Sequence, residues 1–374
     1  MVLLSMVKPI LVYLRLYGIA LQTPEMTKGA QWMMIFFSVI NLIYLIAAPF
    51  LMVHFSSWYN MNFYIEQTLP HIVVYFGILI SHTSIILEKL FTREKQFNFW
   101  TTLLALERTF PLEERNKIEK ANRKLRRKLT QWVFLLGGLT YSCKFILITT
   151  NQVFMPDTDW LATEVISLWA QEAIRLNFFT HFIFVEILRL HLEMYNEKTM
   201  EVTKMAKICT KKALLCELNF LKIRHSLIWK LNQHLNSFFK WAQTMNCLLY
   251  FFDITNLTYW IYNGINIGKI ENREQRMIVN LILCITVLAH LVYSCEMLKE
   301  ATNKTPPLIH EISQHVPNPF DGDVHDDVMA IAMQIHHERI FITYGGFFNV
   351  DMSLITAISG TIATYLVIFI QFIG

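Results

Sequence analysis

Residues 347–374 read FFNVDMSLITAISGTIATYLVIFIQFIG, and this segment holds no charged residue from Met352 onwards. A helix of about 20 apolar residues is long enough to cross the hydrocarbon core of a membrane, so the segment predicts a transmembrane helix. Thr364 and Gln371 are polar and lie two helical turns apart, on nearly one face. Because a polar group costs free energy in lipid, that face is expected to contact protein or water. Helix packing and the lining of a pore both require such a face, and the residues alone leave both open.

The rest of the chain has the composition of a membrane protein. Hydrophobic residues make up 54% of the 374 residues and aromatic residues 14%. The mean hydropathy of +0.36 excludes a soluble domain of this size. We therefore predict an all-α polytopic membrane protein. Its seven transmembrane helices are expected near residues 32–54, 68–90, 131–150, 164–189, 244–266, 277–297 and 347–373.

Three segments outside these spans have their own patterns. The N-terminal segment is apolar but interrupted by charges and lacks a signal-peptide cleavage pattern, so we expect an amphipathic helix at the membrane surface or in the cytoplasm. Apolar residues at helical spacing predict a helix over 210–243 that continues into the fifth span. Prolines, among them Pro306 and Pro307, predict that the helix is broken between 305 and 320. Helical spacing resumes from Asp326.

Positive charge predicts the orientation of the helices. If the N-terminus is cytoplasmic, the segments on that side carry 27 Lys and Arg, whereas the outer loops carry 3. Cytoplasmic segments of membrane proteins hold the excess of Lys and Arg, so the N-terminus is predicted inside and the C-terminus outside. The basic run at 123–128 is accordingly assigned to the inner membrane surface and not to nucleic acid.

The C-terminal residues resemble a known signature. Residues 364–372, TYLVIFIQF, match the pattern of Thr-Tyr, five apolar residues and Gln-Phe that closes insect gustatory receptors, and residues 346–351 resemble the same family. The resemblance implies a tetrameric, ligand-gated, non-selective cation channel of the plasma membrane, assembled as a homo- or hetero-tetramer with related receptors. It implies a cytoplasmic N-terminal segment at 1–31, spans one to six with a ligand pocket at 32–297, a cytoplasmic anchor segment at 298–346 and a pore helix at 347–374.

The resemblance also assigns candidate residues to the pore. The last helix would line the cation path, with the gate at its outer end and further pore-lining positions one and two turns below. The candidate pore and gate residues are Thr364, Ile368, Gln371 and Phe372.

Charged and aromatic residues in the other spans suggest where a ligand binds. A charge inside a membrane is costly and is usually paired or functional. By depth, Lys144 can meet Glu172, and Arg175 can meet Asp253; structural pairing and a ligand-binding role both stay open. Aromatic side chains with a few polar groups form a usual small-molecule pocket. The candidate ligand-binding residues are His71, Tyr75, Lys144, Trp169, Glu172, Arg175, Tyr259, Tyr262 and Asn263.

The expected partners are a small-molecule tastant, cations and membrane lipid. Sugar receptors of the family tend to carry an acidic residue just after the Thr-Tyr pair; Leu366 stands there, which favours bitter or other plant compounds. The sequence has no nucleophile motif, phosphate-binding loop or histidine spacing for zinc, so no catalytic, cofactor or metal site is expected. A G-protein-coupled type of receptor and a small-molecule transporter remain the alternatives, although the first has the opposite orientation and the second would show inverted repeats.

Overall fold

The computed structural model describes residues 10–19, 21–57, 65–154, 158–266, 272–315 and 322–373. Residues 10–16 are helical. The longer helices are α1 (Lys28–Ser57), α2 (Ile65–Phe91), α3 (Arg93–Arg108), α4 (Leu112–Phe154), α5 (Thr158–Met205), α6 (Lys211–Phe238), α7 (Trp241–Asn266), α8 (Asn272–His315), α9 (Gly322–His337) and α10 (Met352–Ile373). Before α10, β1 (Thr343–Tyr344) and β2 (Phe348–Asn349) form an antiparallel pair. The predicted all-α class is confirmed, with this hairpin as a short addition.

The predicted spans fall on seven of these helices, namely α1, α2, α4, α5, α7, α8 and α10. Among the described residues, Lys28–Leu51, Val73–Phe91 and Met277–His315 are long and apolar enough to cross a membrane, and Met352–Ile368 is a shorter apolar stretch. The helices α4, α5 and α8 contain 43, 48 and 44 residues. At about 1.5 Å per residue each is about twice as long as the ~30 Å hydrocarbon core, so each extends well beyond it.

The central helix of the bundle is α5. It packs against α1, α2, α4, α6, α7 and α8. Near its middle, Phe184 packs edge to face on Phe99 of α3, with ring centroids 5.0 Å apart, and on Phe238 of α6, at 5.3 Å. The hydrophobic core therefore continues from the apolar spans into the helices that lie outside them.

The helix α8 runs through Pro306 and Pro307, so the break predicted at these two residues is wrong. A proline removes a backbone N–H and crowds the preceding turn. Here Asn196 of α5 contacts that turn: its Nδ2 donates to the carbonyl of Ala301 (2.8 Å) and its Oδ1 accepts from Thr305 Oγ1 (2.8 Å). These two hydrogen bonds join the turn before the prolines to α5. The rest of the predicted break lies in residues 316–321, outside the described ranges.

Residues 10–19 pack against the helices of the bundle, whereas an amphipathic helix at the membrane surface or in the cytoplasm was expected. Leu14 and Ile19 are fully buried. Between them Gly18 turns the chain at a φ of 72°, a conformation that favours glycine. A Cβ atom on Gly18 would come within 3.2 Å of the Ile86 side chain. The protein itself therefore covers one side of this segment, while Val12 and Leu16 stay exposed.

Polar side chains of α1 and α2 bind the backbone of this buried turn. Asn41 Nδ2 donates to the carbonyl of Leu16 (3.0 Å), and His82 Nε2 donates to the carbonyl of Tyr17 (2.9 Å). Buried carbonyl groups need such partners, because an unpaired one costs free energy comparable to a lost hydrogen bond. The turn is thus held by Asn41 and His82. In a hydropathy analysis these polar residues only lower the mean value of their spans.

Candidate functional site

The predicted ligand-binding residues lie on four helices. Tyr75 is on α2, Trp169, Glu172 and Arg175 are on α5, and Tyr259, Tyr262 and Asn263 are on α7. The side chains of His71 on α2 and Lys144 on α4 lie outside the described residues, so their contacts stay predictions.

A buried ion pair forms the centre of the polar region in α5. Arg175 NH1 and Glu172 Oε1 are 2.5 Å apart, and the two side chains are 8% and 6% exposed. The second amino group of Arg175 donates to Asn280 Oδ1 on α8 (2.6 Å). The ion-pair partner of Arg175 is thus its i,i+3 neighbour, while Asn280 joins the pair to α8. Removing one partner of such a pair leaves an uncompensated buried charge, which is strongly destabilising.

A row of polar side chains on α7 runs beside this pair. Gln243, Asn246, Tyr250 and Asp253 are spaced by three and four residues, so they share one helix face. Asp253 accepts a hydrogen bond from Cys284 Sγ on α8 (3.7 Å). The hydroxyl of Tyr250 is buried and has no hydrogen-bond partner among the described residues. Because buried polar groups are nearly always paired, this hydroxyl is a candidate contact for a ligand or a water molecule.

The aromatic candidates do not share one environment. Trp169 stacks on Tyr17, with ring centroids 4.3 Å apart, and its Nε1 donates to Asn41 Oδ1 (2.8 Å). Its described contacts therefore hold the N-terminal segment against α1. The hydroxyl of Tyr75 is buried without a partner in the described part of the chain, whereas Tyr262 is 41% exposed and is not enclosed by this subunit.

Two neighbouring residues at the end of α2 bind both sides of the junction between α6 and α7. The carboxylate of Glu88 accepts from the backbone N–H of Trp241 and of Ala242 (3.2 Å), the first residues of α7. Lys89 Nζ donates to the carbonyl of Phe238 (2.9 Å), the last residue of α6. An anion favours a helix N-terminus and a cation a helix C-terminus. Glu88 and Lys89 thus satisfy both helix ends where α6 meets the helix that holds the fifth predicted span.

The last helix packs on the bundle through one stripe only. Leu354, Ile355, Ile358 and Ile362 contact the core, and the helix packs against α7 and α8. The opposite face is exposed and carries the small or polar residues Ser353, Thr356, Gly360, Thr364 and Gln371. It also includes Val367, which is 53% exposed. Ile368 borders this face and is 39% exposed. The side chain of Phe372, the fourth predicted gate residue, lies outside the described ones.

Comparison with known proteins identifies the family. The model of the 7tm chemosensory receptor family matches residues 7–373. The chain belongs to this family. Among curated relatives, the chemosensory receptor is 21% identical to gustatory receptor 2a of Drosophila melanogaster over 333 residues, which cover 79% of this chain and 76% of that one. It is 22% identical to gustatory receptor 98b of the same species over 247 residues, which cover 64% and 59%.

Two solved structures have the same fold as this chemosensory receptor. The olfactory receptor OR5 of Machilis hrabei superposes with a TM-score of 0.74 at 14% identity, over 98% of each chain. The same receptor in complex with eugenol gives a TM-score of 0.70 at 14% identity, over 99% of this chain and 98% of that one. At this identity the match establishes the fold alone. The family model and the gustatory receptor relatives confirm the predicted resemblance to insect gustatory receptors.

Sequence reasoning missed part of the polar region in this chemosensory receptor. Asn280 and Tyr250 were not among the predicted ligand-binding residues. Both carry polar groups within apolar spans, which is the property that selected the other candidates. The three-and-four spacing of polar residues on α7 was a usable signal, since such spacing predicts a shared face. Among the described residues, no three His, Cys, Asp or Glu side chains form a group that could hold a metal ion.

Proposed function

We propose that this chemosensory receptor is a tastant-gated, non-selective cation channel of the plasma membrane. Seven transmembrane helices, a cytoplasmic N-terminus and an extracellular C-terminus form each subunit, and four subunits form the channel. The excess of Lys and Arg in the segments assigned to the cytoplasm supports this orientation. The chain has no catalytic step of its own in this proposal.

The observation that carries the proposal is the exposed polar face of α10. Thr361 and Thr364 donate their hydroxyls to carbonyls one turn back, at 2.8 and 3.0 Å. These hydroxyls are thereby satisfied, but the amide of Gln371 is exposed on a charge-free helix. Lipid offers no hydrogen bonds to such a group. Four copies of this face around a symmetry axis would instead line a water-filled path.

A second observation supports the assembly of several subunits. The helices α6 and α9, which lie outside the predicted spans, expose Phe220, Ile223, Met329 and Met333, each between 41% and 59%. We call these four residues the cytoplasmic apolar surface. Lipid cannot cover this surface when α6 and α9 lie outside the membrane, as proposed. Exposed apolar surfaces outside a membrane commonly contact protein. A second copy of the chain is the partner that a homotetramer supplies.

The ligand-binding residues are proposed around the buried ion pair. Arg175, Glu172, Tyr250 and Tyr75 offer charged and hydroxyl groups within an apolar bundle, as small-molecule pockets do. The related olfactory receptor was solved with eugenol, and a compact plant compound is a ligand class that such a pocket suits. Ligand binding opens the channel only if the ligand binds the open state more tightly than the closed one. The gate at Gln371 and Phe372 would close the path by an apolar constriction.

Electrical recording tests this function. Cells that express the chain alone are recorded while bitter plant compounds and sugars are applied from outside. We expect unitary cation currents with at least one bitter compound and none with sugars. Currents that require a related receptor in the same cell would indicate a hetero-tetramer. Saturable uptake without unitary currents would make the protein a transporter, and a C-terminal tag that is inaccessible on intact cells would favour a G-protein-coupled type of receptor.

A further inference from the structure

One face of α4 changes from basic to aromatic along its length. The residues Arg123, Arg126, Arg127, Thr130, Gln131 and Phe134 are three and four positions apart, so their side chains lie on neighbouring lines of the helix. Trp132 lies on the side that faces α8. The arginines on this face are exposed, and Phe134 is 76% exposed. An open cavity of about 1090 Å³ lies against this part of the helix. We call its lining the α4 groove: Arg123, Arg126, Arg127, Thr130, Gln131, Trp132 and Phe134.

Two of the three arginines in the groove have no counter-charge in the described part of the chain. Arg123 pairs with Glu119 one turn back (2.5 Å). Lys128, which follows the arginines, is held by Glu186 of α5 (2.9 Å). Within 4.0 Å, no described carboxylate meets Arg126 or Arg127. Both guanidinium groups are therefore available to an external anion.

The groove crosses the proposed inner boundary of the membrane. Trp132 stands at the start of the third predicted span, where tryptophan typically marks the membrane interface. Its ring contacts His290 of α8, with centroids 3.9 Å apart. The arginines therefore lie at the level of lipid headgroups, and Phe134 lies at the level of the first acyl carbons.

We propose that the α4 groove binds an anionic phospholipid of the inner leaflet whose headgroup carries several phosphates. A guanidinium binds phosphate with two parallel hydrogen bonds, which makes arginine better suited to it than lysine. The open cleft has room for an inositol phosphate headgroup. The two guanidinium groups without a described counter-charge favour a headgroup with more than one phosphate over a single phosphate. Thr130 and Gln131 would hydrogen-bond the glycerol and ester region, and Phe134 would contact the acyl chain. This inference rests on the proposed orientation of the helices.

Lipid binding to the purified full chain tests the inference. The probe is fluorescent phosphatidylinositol 4,5-bisphosphate in detergent micelles, with binding followed by anisotropy. A basic residue near an anionic lipid surface contributes about fivefold in affinity, so R126Q/R127Q should weaken binding by about 30-fold. The matched control K204Q/K207Q removes two exposed lysines, one in the last turn of α5 and one just after it. It should change affinity by less than about twofold. Elution as a single folded peak establishes that each variant is intact.

The outcomes separate the groove from general attraction between charges. Phosphatidylserine at matched charge should bind at least about fivefold more weakly than the bisphosphate lipid. Equal loss in both double variants, equal affinity for phosphatidylserine, or unchanged binding in R126Q/R127Q would each overturn the inference. A ligand-gated current with no lipid binding would refute the groove and leave the proposed channel standing. Lipid binding without any current would support the groove and refute the proposed channel.

Discussion

Single residues at the end of α2 connect α6 to α7, which holds the fifth predicted span. Lys89 is fully buried, and its ammonium group lies 3.4 Å from the centroid of the Phe239 ring besides its bond to the Phe238 carbonyl. A buried cation is tolerated only where acceptors and an opposite charge surround it. Glu88 supplies the charge and the first turn of α7 fixes Glu88. The two residues therefore act as one unit at the junction of α6 and α7.

Lys89→Met is expected to weaken the fold. The change leaves the Phe238 carbonyl unpaired and removes the positive neighbour of Glu88, which should cost about 3 kcal/mol of stability. The measurement is the melting temperature of the purified chain in detergent, together with surface expression. Lys95→Met, at an exposed position on α3, is the control and should change stability by less than about 0.5 kcal/mol. Equal melting temperatures for wild type and Lys89→Met would mean that the junction does not depend on this cation.

At the scale of elements, the sequence predicted the helices better than their surroundings. Each predicted span lies on a helix of the structure. Hydropathy could locate these helices because an apolar run of about 20 residues has few other uses. It could not show that one side of residues 10–19 packs into the bundle, since amphipathic surface helices and packed segments have similar compositions. It also could not show that Asn196 stabilises the proline turn of α8 from another helix. Both outcomes depend on tertiary contacts between residues far apart in the chain.

The sequence predicted only part of the candidate site, because it does not show contacts between residues far apart in the chain. Glu172 and Arg175 stand out because charges within apolar spans are rare, and their i,i+3 spacing already allows the observed pair. The role of Trp169 could not be deduced, because its partner Tyr17 comes from a segment expected elsewhere. Aromatic residues in a span look the same whether they line a pocket or hold a neighbouring segment.

The last helix carries the prediction about gating. Phe372→Ala should raise the current without ligand, because a smaller apolar ring closes the pore less completely. Thr364→Val keeps the shape of the side chain but removes its hydroxyl, so it should change conductance or ion preference. Ile362→Val is the control, since Ile362 lies on the packed stripe. Single-channel recording measures all three. If Ile362→Val altered conductance while Thr364→Val did not, the pore would lie on the other face of α10.

At the scale of the whole molecule, the proposed channel requires contacts between subunits, because a single chain leaves two of its surfaces exposed. The exposed face of α10 and the cytoplasmic apolar surface both need covering, and a symmetric tetramer covers both at once. M329Q/M333Q should therefore shift the assembly towards smaller species, since each half-exposed methionine contributes about 1 kcal/mol when buried. Light scattering of the purified chain measures the mass. Ile208→Gln is the control, because Ile208 is 88% exposed between α5 and α6 and should leave the mass unchanged. A tetramer that survives M329Q/M333Q and dissociates with Ile208→Gln would move the subunit interface to the other end of the cytoplasmic helices.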